Sequence, residues 1–314
     1  MSYDVNTIPR FKIREVARGL EGMERSLADE LCDREPVSQR KSSMAVEPYG
    51  ERAAQESYPN KEERGKKPGE KLKRRDSKFT TEFTYECLRY GSSEPLKHDE
   101  VESIRNSTTI RPLRKAMKAG RTTAAADMDA VLQSELSDAS KNQTFDVTSG
   151  GGSAWSDKKN STPLRDIHDG KLLVPQVDTL YIGKTDAANL REHPDLLAEV
   201  SNYSGGFLGD SQLARKLRDK HPEFTNIVVN ETIYNNDNPE GMAFSLKYRM
   251  PDLSWMGVRR SLKIMEFESR SPRTFDQEDK ERDCTLIGFE RKADIQRVDV
   301  GDYTDAGLKF TNQN

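Results

Sequence analysis

The chain has 314 residues, enough for one large domain or two modest ones, with 33% hydrophobic and 33% charged residues. So small an apolar share leaves long exposed segments, or surfaces buried only against partner chains. Its 50 basic and 53 acidic residues give a formal net charge of −3, which makes no general case for nucleic-acid binding through a clustered basic surface.

The first element in chain order is amphipathic. Ile13, Val16, Leu20, Met23, Leu27 and Leu31 recur at three- and four-residue spacing, which predicts one helix face, and Pro36 stops the pattern. Gly19 and Gly22 each weaken such a helix by about 1 kcal/mol, so it needs a partner surface. That surface is either its own domain or a neighbouring subunit or scaffold, and the spacing favours neither. From Glu51 to Lys78 large apolar residues nearly vanish; Lys66-Lys67-Pro68-Gly69 lies at the centre, followed by Lys71, Lys73, Arg74 and Arg75. Three readings stand: a disordered linker, a nucleic-acid-binding tract, or a long β-hairpin reaching over another subunit. Glu62, Glu63 and Glu70 are interleaved with the bases and argue against a dedicated phosphate surface.

At Phe79 the texture changes. Phe79, Thr81, Phe83, Tyr85 and Cys87 alternate with polar residues, the period of a half-buried strand. Ser107, Thr108 and Thr109 offer helix caps, and Pro112 suits a first turn. Leu113, Met117, Ala124, Met128, Val131, Leu132 and Leu136 then predict one long helix over 110–139, with Gly120 as a candidate bend. The run Ser149-Gly150-Gly151-Gly152-Ser153 lacks the lysine of a phosphate-binding loop and is read as a flexible link.

Beyond it the pattern is α/β. Strands are predicted at 177–182, 224–230, 244–248 and 261–267, with helices at 184–203 and 212–220, and without the strict βαβ period of a Rossmann domain. The acidic stretch Glu266 to Asp283 reads as an exposed turn. Strands at 285–289 and 293–300 return late and are expected to pair with the strand at Phe79, making one domain discontinuous.

Catalytic or metal chemistry finds little to stand on. Cys32, Cys87 and Cys284 are far apart and odd in number, and no CxxC or HxH spacing offers a zinc site. With no secretory signal and no bilayer-length apolar run, the expectation is a soluble protein made in a reducing cytoplasm. His168 lies beside Asp166 and Asp169, and His193 follows Glu192; neighbours in sequence rarely face each other, so both are read as solvated surface. Cys87 falls on the buried face of its strand and reads as an inert packed thiol. No GxSxG elbow, kinase or metallopeptidase signature occurs. No catalytic, cofactor-binding or metal-binding residue is assigned, and the chain is read as a non-enzyme.

In order, these segments resemble the major capsid proteins of tailed bacteriophages, whose fold is named after the coliphage Hong Kong 97. The resemblance is carried by Ser153-Ala154-Trp155-Ser156-Asp157, Ser161-Thr162-Pro163 and Asp166-Ile167, then Val174-Pro175 leading to Thr179-Leu180-Tyr181-Ile182-Gly183. Leu190-Arg191-Glu192-His193-Pro194-Asp195 follows, with Gln212-Leu213-Ala214, Ile227-Val228-Val229, Tyr234-Asn235 and Ser254-Trp255-Met256-Gly257. It covers roughly residues 45–314.

The resemblance implies an α+β chain with an N-terminal arm (1–45), an extended β-hairpin loop (46–78) and a peripheral domain with a long spine helix (79–167). An axial α/β domain (168–283) and C-terminal strands returning to the peripheral domain (284–314) complete it. It further implies self-assembly into hexamers and pentamers of an icosahedral shell around double-stranded DNA. Scaffolding, portal and decoration proteins are the implied partners, with no cofactor and no membrane. The implied location is the virion, after assembly in the host cytoplasm. Gly120 and Gly150–Gly152 become candidate maturation hinges, and Lys66, Lys67, Lys71 and Lys73 occupy the region where some relatives crosslink to an asparagine. The rival readings are an encapsulin-like compartment and a nucleic-acid-binding accessory protein using residues 61–75.

Overall fold

The computed structural model of the protein describes residues 8, 12–13, 16, 26–46, 81–106, 110–174, 177–197, 208–230, 233–235, 246–248, 252–267, 273–279, 284–297 and 307–313. The chain opens with α1 (Leu27–Leu31), β1 (Asp33–Val37), β2 (Lys41–Val46), β3 (Thr81–Glu86), β4 (Leu88–Lys97), α2 (His98–Arg105) and the long α3 (Arg111–Ser137). Next come β5 (Gln143–Asp146), α4 (Pro163–Leu173), β6 (Thr179–Ile182), α5 (Lys184–Arg191), α6 (Pro194–Leu197) and α7 (Asp210–Lys220). Strands complete it: β7 (Asn226–Val229), β8 (Ile233–Asn235), β9 (Leu246–Tyr248), β10 (Trp255–Gly257), β11 (Leu262–Phe267), β12 (Arg273–Asp279), β13 (Cys284–Arg297) and β14 (Gly307–Thr311). Contacts divide the chain into two compact units. The first joins Met1–Lys41, Tyr85–Gln133 and Lys263–Gln296; the second joins Ser42–Thr84, Ser134–Leu262 and Arg297–Asn314.

The first unit is built on a sheet of order β1-β11-β13-β12, with β4 also paired to β13. β13 runs antiparallel to β4 from Cys284 opposite Lys97 to Ala293 opposite Leu88. The late strand therefore pairs with Leu88–Lys97, not with the strand near Phe79. The stretch expected as an exposed turn also holds a strand, since β12 pairs with Cys284–Glu290 of β13. β1 is a parallel edge strand on β11, with Asp33 opposite Lys263. Pro36 sits in that edge, where a missing N–H is tolerated, and α1 has already ended at Leu31.

Ile8, Ile13 and Val16 are buried with Leu96, Val101, Ile104, Leu113, Ala116, Met117 and Ile287, all of the same unit. The described part of the N-terminal amphipathic pattern thus packs on its own domain. Leu20 and Met23 lie outside the described residues, as do Phe79 and the basic tract with Lys66, Lys67, Lys71 and Lys73. The flanks of that tract, β2 and β3, pair with each other.

α3 buries Leu113, Met117, Ala124, Met128, Leu132 and Leu136 of the stripe that its spacing predicts, with Ala116 beside them, while Val131 is half-buried. It runs unbroken through Gly120, which serves close approach rather than a bend. A Cβ at Gly120 would lie 2.8 Å from the Ser92 carbonyl oxygen and 2.9 Å from the Phe289 amide nitrogen. Helix propensity alone makes Gly120→Ala stabilising by about 1 kcal/mol, whereas overpacking against two backbones costs about 1–3 kcal/mol. The expected result is a net loss, read as a lower urea midpoint for the unassembled chain.

The second unit holds a mixed sheet of order β5-β14-β10-β6-β7. β14 runs parallel to β5 and antiparallel to β10, while β6 runs antiparallel to β10 and parallel to β7. β6 is buried throughout, as its continuous apolar run predicts. Phe310 of β14 packs edge-on to Phe145 (ring centroids 5.8 Å apart) and tilted to Trp155 (5.4 Å). The helix expected over 184–203 is shorter, because Pro194, which has no N–H, opens a separate turn. Within the run read as a flexible link, Ser149–Gly151 forms a tight turn: Gly151 has φ +92°, and a Cβ at Gly152 would fall 2.1 Å from the Val147 carbonyl oxygen.

Candidate functional site

The two histidine pairs separate on inspection of their surroundings. His168 is exposed on α4, whereas Asp166 is buried and accepts the Trp155 indole N–H at 2.8 Å. Burial pushes the Asp166 carboxyl above the usual aspartate range, against the opposing indole hydrogen bond. Asp169 pairs instead with Arg165, one turn away. His168 and its two acidic neighbours therefore form no site.

His193, expected on the surface, is 2% exposed. Its Nδ1 accepts the Asp195 backbone N–H at 3.3 Å, which leaves the proton on Nε2, 3.2 Å from Ser161 Oγ. Asp195 Oδ2 stands 3.7 Å from Nδ1, so Ser161, His193 and Asp195 have the order of a hydrolytic triad. A triad needs Nδ1 to donate to the carboxylate, and here that nitrogen is an acceptor. The cluster closes the first turn of α6 onto the segment before α4.

Three more nodes have the same character. Asn142 Nδ2 reaches the carbonyls of Glu135 (2.9 Å), Leu136 (3.2 Å) and Asp138 (3.0 Å) at the end of α3, while its Oδ1 accepts the Trp255 indole N–H at 2.8 Å. Ser254 Oγ donates to buried Asp186 at 2.5 Å. In the first unit, Arg291 joins Asp29 (2.8 Å) and Glu266 (3.0 Å), both mostly buried. Cys87 is fully buried, its thiol facing the Met265 carbonyl at 3.3 Å, and burial pushes its pKa up to about 11. A thiol so placed is a packing residue at neutral pH.

His221 ends α7 and lies 3.3 Å from Lys171 Nζ, which also pairs with Glu223. Burial, and then the Lys171 and His168 charges, lower its pKa from 6.5 to about 4. The unfolded chain takes up this proton below 6.5 while the folded one resists until about 4. Stability from this group is therefore full above the unfolded value and declines as pH falls through that window. The loss is on the order of 3 kcal/mol at its end. Urea titrations of wild type and His221→Gln at pH 7 and pH 4 should show the smaller decline in the variant.

No protein-family profile matches this sequence, and no curated protein matches it. Solved structures do. A phage-related protein from Bordetella bronchiseptica aligns over 99% of both chains with a TM-score of 0.66 at 13% identity. A virus-like particle from Pyrococcus furiosus aligns over 96% of this chain and 98% of its own with a TM-score of 0.55 at 11% identity. The mature capsid of bacteriophage PhiM1 aligns over 92% and 88% with a TM-score of 0.50 at 11% identity.

The chain has the Hong Kong 97-like capsid fold. Within this α+β fold, several residues that carried the sequence resemblance lie at buried nodes of the second unit: Trp155 with Asp166, His193 with Ser161, and Trp255, which meets Asn142. Asn142 itself carried no sequence signal, since its partners are helix carbonyls and an indole more than a hundred residues away. What the capsid fold leaves exposed is also informative. Among the described residues, Leu172 and Leu173 at the end of α4 are large apolar side chains 74% and 46% exposed. No described helix is long and apolar enough to cross a membrane.

Proposed function

We propose that the chain is the major capsid protein of a tailed bacteriophage, a structural subunit rather than an enzyme. The observation that supports this most is the alignment over nearly the whole of this chain with proteins of the capsid fold. On this reading residues 79–167, with α3 as the spine, are the peripheral domain, residues 168–283 are the axial domain, and residues 284–314 are C-terminal strands returning to the peripheral domain. Residues 1–45 are the arm, and residues 46–78, between the paired flanks β2 and β3, are the extended loop. Copies form hexamers and pentamers that tile an icosahedral shell around double-stranded DNA, held by non-specific inner-surface contacts. Scaffolding and portal proteins, and decoration proteins where present, are further partners. Assembly takes place in the host cytoplasm and ends in the virion. The low apolar share then follows from the extended loop burying area only in the shell.

A second reading, an encapsulin-like compartment, is favoured by one observation: the alignment with the archaeal virus-like particle. Both readings predict a closed shell, and its contents separate them. Particles isolated from infected or induced cells and treated with external nuclease should retain double-stranded DNA. Particles that instead carry a stoichiometric protein cargo and no DNA would establish the compartment. Protein that stays monomeric and binds DNA with a steep salt dependence would refute both.

A further inference from the structure

The N-terminal segment does more in this structure than lie on a surface. Lys12 is 6% exposed, and its ammonium donates to the carbonyls of Ile104 and, at 3.1 Å, Arg105. These are the last two residues of α2, where a helix leaves carbonyls unpaired and carries partial negative charge. Lys12, Ile13 and Val16 are helical, and Ile8 precedes them. On either side of the ammonium, Ile8, Ile13 and Val16 enter an apolar groove formed by Leu96, Val101, Ile104, Leu113, Met117 and Ile287. Three apolar anchors and one cation thus meet a groove and one helix terminus, the arrangement by which amphipathic helices bind grooves in other proteins.

We infer that this groove of the first unit is a helix-binding site that the chain fills with its own residues Ile8, Lys12, Ile13 and Val16, keyed by Lys12 on the end of α2. The ligand class is a short amphipathic segment, helical at a lysine and at the apolar residues one and four positions after it, with a further apolar residue four positions before the lysine. The inference concerns the single chain and does not depend on the shell reading. The segment is held in cis, and any helix of the same pattern competes with it for one place.

Two measurements on the full-length chain test this. In native hydrogen exchange, Lys12→Met removes the cation and keeps the side-chain length. The amides of residues 12, 13 and 16 should exchange at least about tenfold faster in that variant. Unchanged protection overturns the role given to Lys12. In the second, Ile8→Asp and Ile13→Asp together release the segment, and a labelled synthetic peptide of residues 1–20 is added. The released variant should bind it at least about tenfold more tightly than wild type, and the same peptide with Lys12→Met should bind the released variant more weakly. Equal binding to wild type and released variant, or none to either, overturns the assignment of the groove. Should the released variant fail to fold, the exchange measurement still decides.

Discussion

Replacing Arg291 with methionine is expected to destabilise the unassembled chain by about 3–5 kcal/mol, because it strands buried carboxylates. Arg291 is 5% exposed and makes separate contacts, Nη1 to Asp29 at 2.8 Å and Nε to Glu266 at 3.0 Å. Burial raises the Asp29 pKa, but Arg291 and then Arg34 outweigh it and hold the carboxyl below its ordinary value. Burial likewise works against the Arg291 charge, and the two carboxylates restore and exceed it. The three groups join α1, β11 and β13, elements far apart in sequence. Because the Asp29 pKa is depressed in the folded state, its contribution is present above the unfolded value and lost as pH falls through the folded one. Urea denaturation at pH 7 should show a lower midpoint with unchanged slope. Adding Asp29→Asn should cost much less in the Arg291→Met background than in wild type, since the two residues share one interaction. Additive losses would show that they do not.

Asn142→Leu is expected to cost about 2–4 kcal/mol, by leaving helix carbonyls and an indole N–H unpaired in the interior. The side chain is 3% exposed and fills a place with no slack. A Cβ on Gly307 would come within 2.8 Å of its Oδ1 and 2.7 Å of Trp255 Nε1, so glycine at 307 leaves room for the pair. Asn142→Asp keeps the acceptor for Trp255 but turns a carboxylate toward the Glu135, Leu136 and Asp138 carbonyls, and should be no better than leucine. Near-UV circular dichroism, which reports the environment of Trp255, should change with the loss in denaturation midpoint. A variant as stable as wild type would remove Asn142 from the core of the second unit.

These nodes mark the limit of what the sequence discloses. α3 was legible because its buried face repeats within one helix and Pro112 opens it; 110–139 became Arg111–Ser137. β6 was legible from a short apolar run, and Cys87 from its place in an alternating strand. β12 was not, because Arg273–Asp279 is a polar segment whose strand state comes from pairing with β13. Such a polar edge is how sheets avoid further pairing, and it removes the alternation that a reader looks for. β1 was hidden by Pro36, which signals a stop anywhere but at an edge. β14 was missed because its partners, β5 and β10, lie far off in sequence. His193 was misplaced because its neighbours Glu192 and Asp195 suggest solvent, while the partner that buries it, Ser161, is thirty-two residues away. The family resemblance reached further than periodicity because its ordered runs include some of these buried residues, among them Trp155, Ser161, Asp166, His193 and Trp255.

The central claim, a self-assembling shell subunit, is tested most directly by cryo-electron microscopy of the purified full-length chain, expressed alone and with the phage's scaffolding protein. The account predicts closed icosahedral particles whose capsomers are hexamers and pentamers of this fold. A chain that remains a folded monomer in both preparations, at concentrations where capsid proteins assemble, would contradict it.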